Sequence, residues 1–374
     1  MDSADFREPI EMPKPASVIP RIALIGAILV LVMVSFAWVG GSLSPGRISG
    51  DAMVDTLQHA TGQVFPGYRR AHSKGACVSG HFAANGAGVA LSQASLFPVG
   101  DIRVIGRFST NAGDPMAADK TALFHALGLR FLLPHGEEWR MALDHTPIFI
   151  VSNPKDFIEL QLANTPDPAT GKPDPAKLPS FVAAHPETQT FLGLIKAMPV
   201  PSSFANGTYH SIHAFRFFDA QGEQHMVRWQ FEPEAAFTAL DPATMATAPP
   251  NFLFDDLLAR LKQGPLRWHL ILTAANPGDR TDNATIEWTG AHRQIDAGTL
   301  ILDQGSTEAV GECLGYNFDP TIVPKGVAIS DDPLLPARSA AYSASFIRRS
   351  IEIGKRAPDA ITQAQASEKQ GGAQ

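Results

Sequence analysis

The longest uninterrupted apolar run is Ile22 to Gly41, twenty residues without a charge. As a helix it would cross a hydrocarbon layer of ~30 Å, so it is read as a membrane anchor or a signal segment. Residues 1–21 are polar and carry Pro9, Pro13, Pro15 and Pro20, which predicts a disordered tail. Residues 42–50, with Ser42-Leu-Ser-Pro-Gly46, read as a linker. Asp51 to Gly62 sets Met53, Val54, Leu57 and Ala60 at helical spacing and stops on glycine, predicting a short lead-in helix. From His72 to about Thr110 the pattern becomes short apolar runs broken by Gly, Asn and Pro, as consecutive strands require.

Further strands are predicted at Thr146–Val151, Ser211–Phe218 with Gln221-Gly222 as its turn, Met226–Phe231, Trp268–Thr273 and Thr299–Leu302. Helices are predicted at Phe157–Asn164, Lys177–Ala184, Pro186–Ala197 and Phe252–Gln263. Pro166–Pro179 is rich in Pro, Asp and Lys and reads as a surface loop. Ala357–Gln374 has no period and a composition of Gln, Ala, Gly and Lys, so the chain beyond residue 353 reads as disordered. One globular region, 51–353, remains, with many antiparallel strands and several helices. That is an α+β chain whose sheet is a barrel or a sandwich.

Composition narrows the partners. With 374 residues, 44% of them hydrophobic and a formal charge of -7, the chain has the makings of a core and no excess of basic residues for nucleic acid. Lys14 and Arg21 precede the apolar run and Arg47 follows it, which orients the N-terminus inward and the remainder outward. In a bacterial cell that means the inner membrane with the globular region in the periplasm, or release there if Val39-Gly-Gly41-Ser is cleaved. The chain has only two cysteines, Cys77 and Cys313; in an exported chain they invite a disulfide, in a cytosolic one they are core thiols.

Two segments carry the chemistry. Arg69-Arg-Ala-His72-Ser-Lys-Gly75 resembles the distal-histidine motif of haem catalases, and Arg338-Ser-Ala-Ala-Tyr342 resembles the motif that supplies their iron-ligating phenolate. Between them, Val104-Ile-Gly-Arg-Phe-Ser-Thr110, Thr146-Pro-Ile-Phe149 with Asn153-Pro-Lys-Asp-Phe157, and Phe318-Asp-Pro-Thr-Ile-Val-Pro-Lys-Gly326 occur in the catalase family's order. The resemblance covers roughly residues 50 to 350 and implies a closed antiparallel β-barrel with surrounding helices.

It also implies roles. Tyr342 would be the axial ligand of haem iron, and Arg338, one helical turn earlier, would hold the phenolate charged. His72 would be the acid-base group that moves a proton between peroxide oxygens, with Ser109 hydrogen-bonded to it. Arg69, Arg107 and Arg349 would bind the haem propionates and Phe157 would pack on the porphyrin. His213 and Asp332 would support Arg338. By the same resemblance Cys77 and Cys313 fall on the first and last barrel strands, which pair on closure, and a disulfide between them is expected. The implied cofactor is haem, of type b.

Two departures shape the reading. Catalases carry an asparagine just before the Thr-Pro run, where its amide donates to peroxide; here that position is Asp144, followed by His145, and an ionised carboxylate only accepts. The acidic-Pro-Arg stretch of catalase channels is replaced near His125-Ala-Leu. The chain also ends soon after Arg349 and carries Leu266-Arg-Trp-His-Leu-Ile-Leu-Thr-Ala-Ala-Asn-Pro-Gly278, which resembles the small catalase-related peroxidases of bacteria. The expected activity is reduction of hydrogen peroxide by small organic electron donors with weak dismutation. Turnover of fatty-acid hydroperoxides, or a haem-binding or sensing role with little turnover, are the alternatives.

Overall fold

The computed structural model describes residues 18–39 and 48–371. The tail over residues 1–17, most of the linker and all but Val39 of the Val39-Gly-Gly41-Ser site lie outside the described residues. The chain divides into two units, one up to Ile48 and one from Ser49 onward. In the first, helix α1 runs Ile19–Val39, three residues earlier than the apolar run alone predicts. It is apolar all round and none of it is buried, the form shared by a membrane span and a signal sequence.

The second unit opens with α2 (Gly50–Thr61), capped by the Ser49 side chain and closed by Gly62 in the left-handed region. Beyond it come ten strands: β1 (Gly75–Ala84), β2 (Gly100–Thr110), β3 (His125–Leu132), β4 (Glu138–Asp144), β5 (Tyr209–His210), β6 (Phe215–Phe218), β7 (Gln224–Pro233), β8 (Leu266–Ala274), β9 (Gln294–Thr307) and β10 (Val327–Ile329). Eight of them, β1-β2-β3-β4-β5-β7-β8-β9, close into an antiparallel ring through the β1–β9 and β7–β8 pairs. The hairpin partner β6 and then β10 extend from the free part of β7's edge.

Alternation along the strands sorts residues to the two faces of the wall. Ala76, Val78, Phe108, Leu127, Leu129, Trp139 and Met141 point inward and fill the barrel. Their neighbours Cys77, Ile105, Arg107, Ser109, Gly128, Ala142 and Asp144 therefore point outward, and this outer face forms one wall of the site. The other walls are helical: α3 (Pro154–Ala163), α4 (Lys177–Ala184), α5 (Pro186–Ala197) and the long α8 (Leu334–Glu352). Two more helices, α6 (Pro242–Thr247) and α7 (Phe252–Gln263), lie between β7 and β8, with α7 set against β9.

The structure corrects four expectations. Thr146–Val151 is a chain of bends, not a strand; its apolar residues pack as a covered loop, and the strand is β4 just before it. Of Ser211–Phe218 only Phe215–Phe218 is strand, as β6; residues 211–214 are an irregular stretch between β5 and β6 in which Ile212 takes a φ of 53°. Pro166–Pro179 is a loop only to Ala176, because α4 begins at Lys177. Over residues 354–371 the chain is ordered: α9 spans Ala360–Gly371, with Asp359 and Ile361 buried and Asn251 Nδ2 donating to the Ala360 carbonyl at 3.1 Å.

Cys77 and Cys313 form a disulfide with their Cα atoms 5.4 Å apart. Cys77 stands on β1, which does pair with β9, but Cys313 lies in the 3₁₀ turn Glu312–Gly315 past the end of β9.

Candidate active site

A cavity of about 750 Å³ lies between the outer barrel wall and the helices, within the range of about 300–1,000 Å³ typical of cofactor pockets. It is lined by Arg69, His72, Arg107, Ser109, Asp144, Phe157, Arg338, Tyr342 and Arg349 together. His213 and Asp332 stand behind Arg338. The cavity floor needs small residues: a Cβ on Gly128 would come 2.6 Å from the Phe318 ring, so glycine lets that ring lie against β3.

His72 precedes β1 with a φ of 55°, a left-handed conformation costly for a residue with a Cβ. Ser73 and Lys74 fix it in place. Ser73 N donates to Ala112 O at 2.8 Å and Ser73 Oγ to Gly113 O at 2.6 Å, while Lys74 pairs with buried Asp119 at 2.6 Å. The imidazole Nδ1 lies 3.3 Å from Ser109 Oγ. Burial, then the charges of Arg107, Arg338 and Arg69, lower its pKa to about 3, so the ring is neutral at ordinary pH. With the proton on Nδ1, Nε2 is left as a base.

On α8, Arg338, Tyr342 and Arg349 fall on one face because residues three to four apart stack along a helix. Asp332 Oδ1 accepts from Leu334 N at 2.9 Å at the start of that helix. Its Oδ2 lies 2.7 Å from His213 Nδ1, His213 Nε2 lies 2.7 Å from Arg338 Nη1, and Arg338 Nη2 reaches the Tyr342 hydroxyl at 3.5 Å. The order of donors is forced: Arg338 only donates, so Nε2 accepts and Nδ1–H donates to Asp332. Burial works against the Arg338 charge, but Tyr342, Asp144 and Asp332 more than offset it and its pKa is raised.

The arginines form a cluster. Arg69 and Arg107 both bind Glu308, Arg107 at 3.0 Å, and Arg356 reaches the same carboxylate at 3.4 Å. Arg349 is satisfied by the carbonyls of Leu314 at 2.5 Å and Tyr316 at 2.7 Å. Burial and mutual repulsion lower Arg69 well below its ordinary value, Arg107 to about 9 and Arg349 to about 10. Among the described residues, the four guanidiniums thus have two carboxylates between them, Glu308 and Asp359, and Arg107 Nε and Arg356 Nη1 are buried without a hydrogen-bond partner. A buried excess of cations with free donors fits a ligand that brings carboxylates.

Asp144 is buried at the end of β4. Desolvation raises its pKa to about 6 against the opposing pull of Arg338. Its neighbours add no charge. His145 and His125 stack at 5.0 Å with the His125 N–H donating to His145 Nδ1 at 2.9 Å, and burial lowers their pKa values to about 4 and about 3.

Sequence reasoning missed Glu308 and Arg356. Arg356 follows Arg349 by seven residues, as Arg349 follows Tyr342, a signal that was present. Glu308 has none, because its partners are remote in the chain and meet only in the fold.

A closed eight-strand barrel with a buried imidazole, an arginine-backed tyrosine and an arginine cluster on its outer face is the architecture of the haem catalases. The catalase family model matches residues 41–356, and the chain belongs to that family. It is an oxidoreductase that acts on peroxide. A catalase-related peroxidase of Synechococcus elongatus is 37% identical over 302 residues, covering 81% of this chain and 89% of that one. Another, of Mycolicibacterium paratuberculosis, is 31% identical over 315 residues, covering 84% of this chain and 99% of that one. Among solved structures, a fungal catalase superposes with a TM-score of 0.70 at 19% identity, covering 80% of this chain and 62% of the fungal one. Catalase A from Saccharomyces cerevisiae superposes with a TM-score of 0.68 at 17% identity, covering 80% of this chain and 64% of that one. Family members generally bind haem, and the cavity's volume, its Tyr342 and the lining arginines Arg69, Arg107 and Arg349, with Arg107 Nε unpartnered among the described residues, fit it.

Proposed function

We propose that the chain is a haem b peroxidase that reduces hydrogen peroxide with small organic electron donors and dismutates it only weakly. Haem, when bound, supplies the redox-active iron. Tyr342 would give its phenolate oxygen as the protein ligand, held charged by Arg338, which His213 and Asp332 orient. Arg69, Arg107 and Arg349 would take the propionates, and Phe157, stacked on Phe149 at 6.2 Å, would cover the ring. His72 Nε2 takes the proton from one peroxide oxygen and returns it to the other, so that water leaves. Ser109 holds the ring through Nδ1.

Asp144 carries the choice of electron donor. Capture of a second peroxide is helped by an amide donor, and a carboxylate offers a proton only below about pH 6. Organic donors deliver electrons without that contact. The test is an absorption spectrum before and after one equivalent of hydrogen peroxide, then after a phenolic dye. A Soret band that changes with peroxide and returns with the dye, with little oxygen evolved, supports the reading. An unchanged band, or oxygen evolution at the rate of a large catalase, refutes it.

A second reading concerns the peroxide. Leu57, Phe149, Leu160 and Leu192 make much of the cavity lining apolar, which favours fatty-acid hydroperoxides. Faster turnover of a lipid hydroperoxide than of hydrogen peroxide would select it. For location, the reading is that α1 anchors the chain in the inner membrane with the peroxidase region on the periplasmic side; alkaline extraction of membranes and protease accessibility test it.

A further inference from the structure

We infer that the Cys77–Cys313 disulfide positions the cofactor cradle: by pinning the segment Glu308–Tyr316 to β1 it sets the arginines that hold the cofactor's carboxylates. Tight cofactor retention therefore requires the cysteines to be oxidised. This rests on the reading of the cavity as a haem site.

The segment lies beyond the last paired residue of β9, Thr307. Among the described residues, each of the four clustered arginines is bound by it. Arg69 takes Glu308, Cys313 O at 3.2 Å and Tyr316 O at 2.9 Å; Arg107 and Arg356 take Glu308; Arg349 takes Leu314 O and Tyr316 O. Arg107 and Arg349 are buried, so they follow their acceptors and do not turn into water. Arg107 also donates to Ser73 O at 3.2 Å and Arg356 pairs with Asp359 at 3.5 Å, but this segment is the acceptor that all four share.

Apart from the arginines, the segment is fixed by the bridge and by the small apolar cluster that Cys77 and Cys313 share with Ile105 and Phe318. Its regular structure is a single 3₁₀ turn, Glu312–Gly315. The Arg103–Glu312 pair at 2.7 Å is more than half exposed and holds little. Arg130 stacks over Tyr316 at 4.1 Å near one end. Against β1 the contact is covalent, and it is tight: a Cβ on Gly311 would lie 2.4 Å from both Cβ and Sγ of Cys77.

Cys77 and Cys313 are buried, at 4% and 0% exposure. Solvent thiols cannot reach them in the folded chain, so their state is set where the chain folds. Oxidation releases two protons and two electrons from the thiols to a disulfide of that compartment, which is reduced to two thiols by exchange. An oxidising compartment would yield the tight form and a reducing one the loose form.

The test measures haem release from the holoprotein to excess haem-scavenging apoglobin, for native protein and Cys77→Ser/Cys313→Ser, loaded with haem or with haem dimethyl ester. Release of haem should be faster in the variant by about tenfold or more, the weight of one charge-assisted hydrogen bond. With the ester, which has no carboxylates to hold, the two proteins should release alike. Equal haem release, or equal acceleration with both cofactors, overturns the inference; the latter assigns the bridge to barrel stability alone. If the variant does not fold, native protein made under reducing conditions, its free thiols counted by mass spectrometry, replaces it. Failure of both to fold also overturns it. Native protein that holds neither cofactor instead refutes the haem reading itself.

Discussion

At the scale of single residues, the two ends of the site should fail differently. Tyr342→Phe is expected to fold but to hold little or no haem, and Arg338→Ala to hold it less well; a full, unshifted Soret band in Tyr342→Phe would remove the ligand assignment. His72→Ala should keep haem and lose peroxide cleavage by roughly 10²- to 10⁴-fold, read by stopped-flow absorbance. Asp144 adds a pH signature. Its carboxyl is neutral below about pH 6 in the fold, while His72, with a pKa of about 3, stays neutral throughout. Oxygen evolution relative to dye oxidation should therefore rise as pH falls through about 6, and Asp144→Asn should raise it at neutral pH and flatten the dependence. The linkage sign is opposite to that of a salt-bridged carboxylate. Unfolded Asp144 loses its proton near pH 3.9, so the folded state loses stability as pH rises from there to about 6. Thermal melts of native protein and Asp144→Asn should converge below that window and separate above it, with the variant the more stable.

At the scale of elements, α9 is the place to test an expectation the structure overturned. Ile361 is fully buried, so Ile361→Ala should cost about 2–5 kcal/mol in denaturant unfolding; a disordered tail would show no change. Composition hid this helix because one apolar residue in a run of Gln and Ala makes no period, yet one is enough to dock it. Thr146–Val151 misled in the other direction. Its apolar residues face a cavity and a neighbouring helix, and burial by a loop writes the same letters as burial by a strand. The helices at 177–184, 186–197 and 252–263 were legible because their apolar residues recur at helical spacing. His72 and Tyr342 were legible because each sits in a local frame of fixed spacing. Glu308 was not: it has meaning only beside Arg69 and Arg107, and closure of the barrel brings them there.

At the scale of the molecule, the bridge closes a loop with a sequence separation of 236. Its removal should lower stability by about 5 kcal/mol in the chain-entropy model, seen as a fall in melting temperature on replacing both cysteines by serine. Barrel closure has a further effect, on timing. Ala76 on β1 pairs with Thr307 on β9, and contacts this distant in sequence slow folding because the loop must be closed before it yields any contact energy. A ribosome-bound chain that stops before α8 lacks Arg338 and Tyr342, so no nascent fragment carries the proposed haem site complete. Strands β1 to β4 must wait with an open edge until β9 arrives, and through that interval the chain is most open to aggregation and most dependent on whatever shields it.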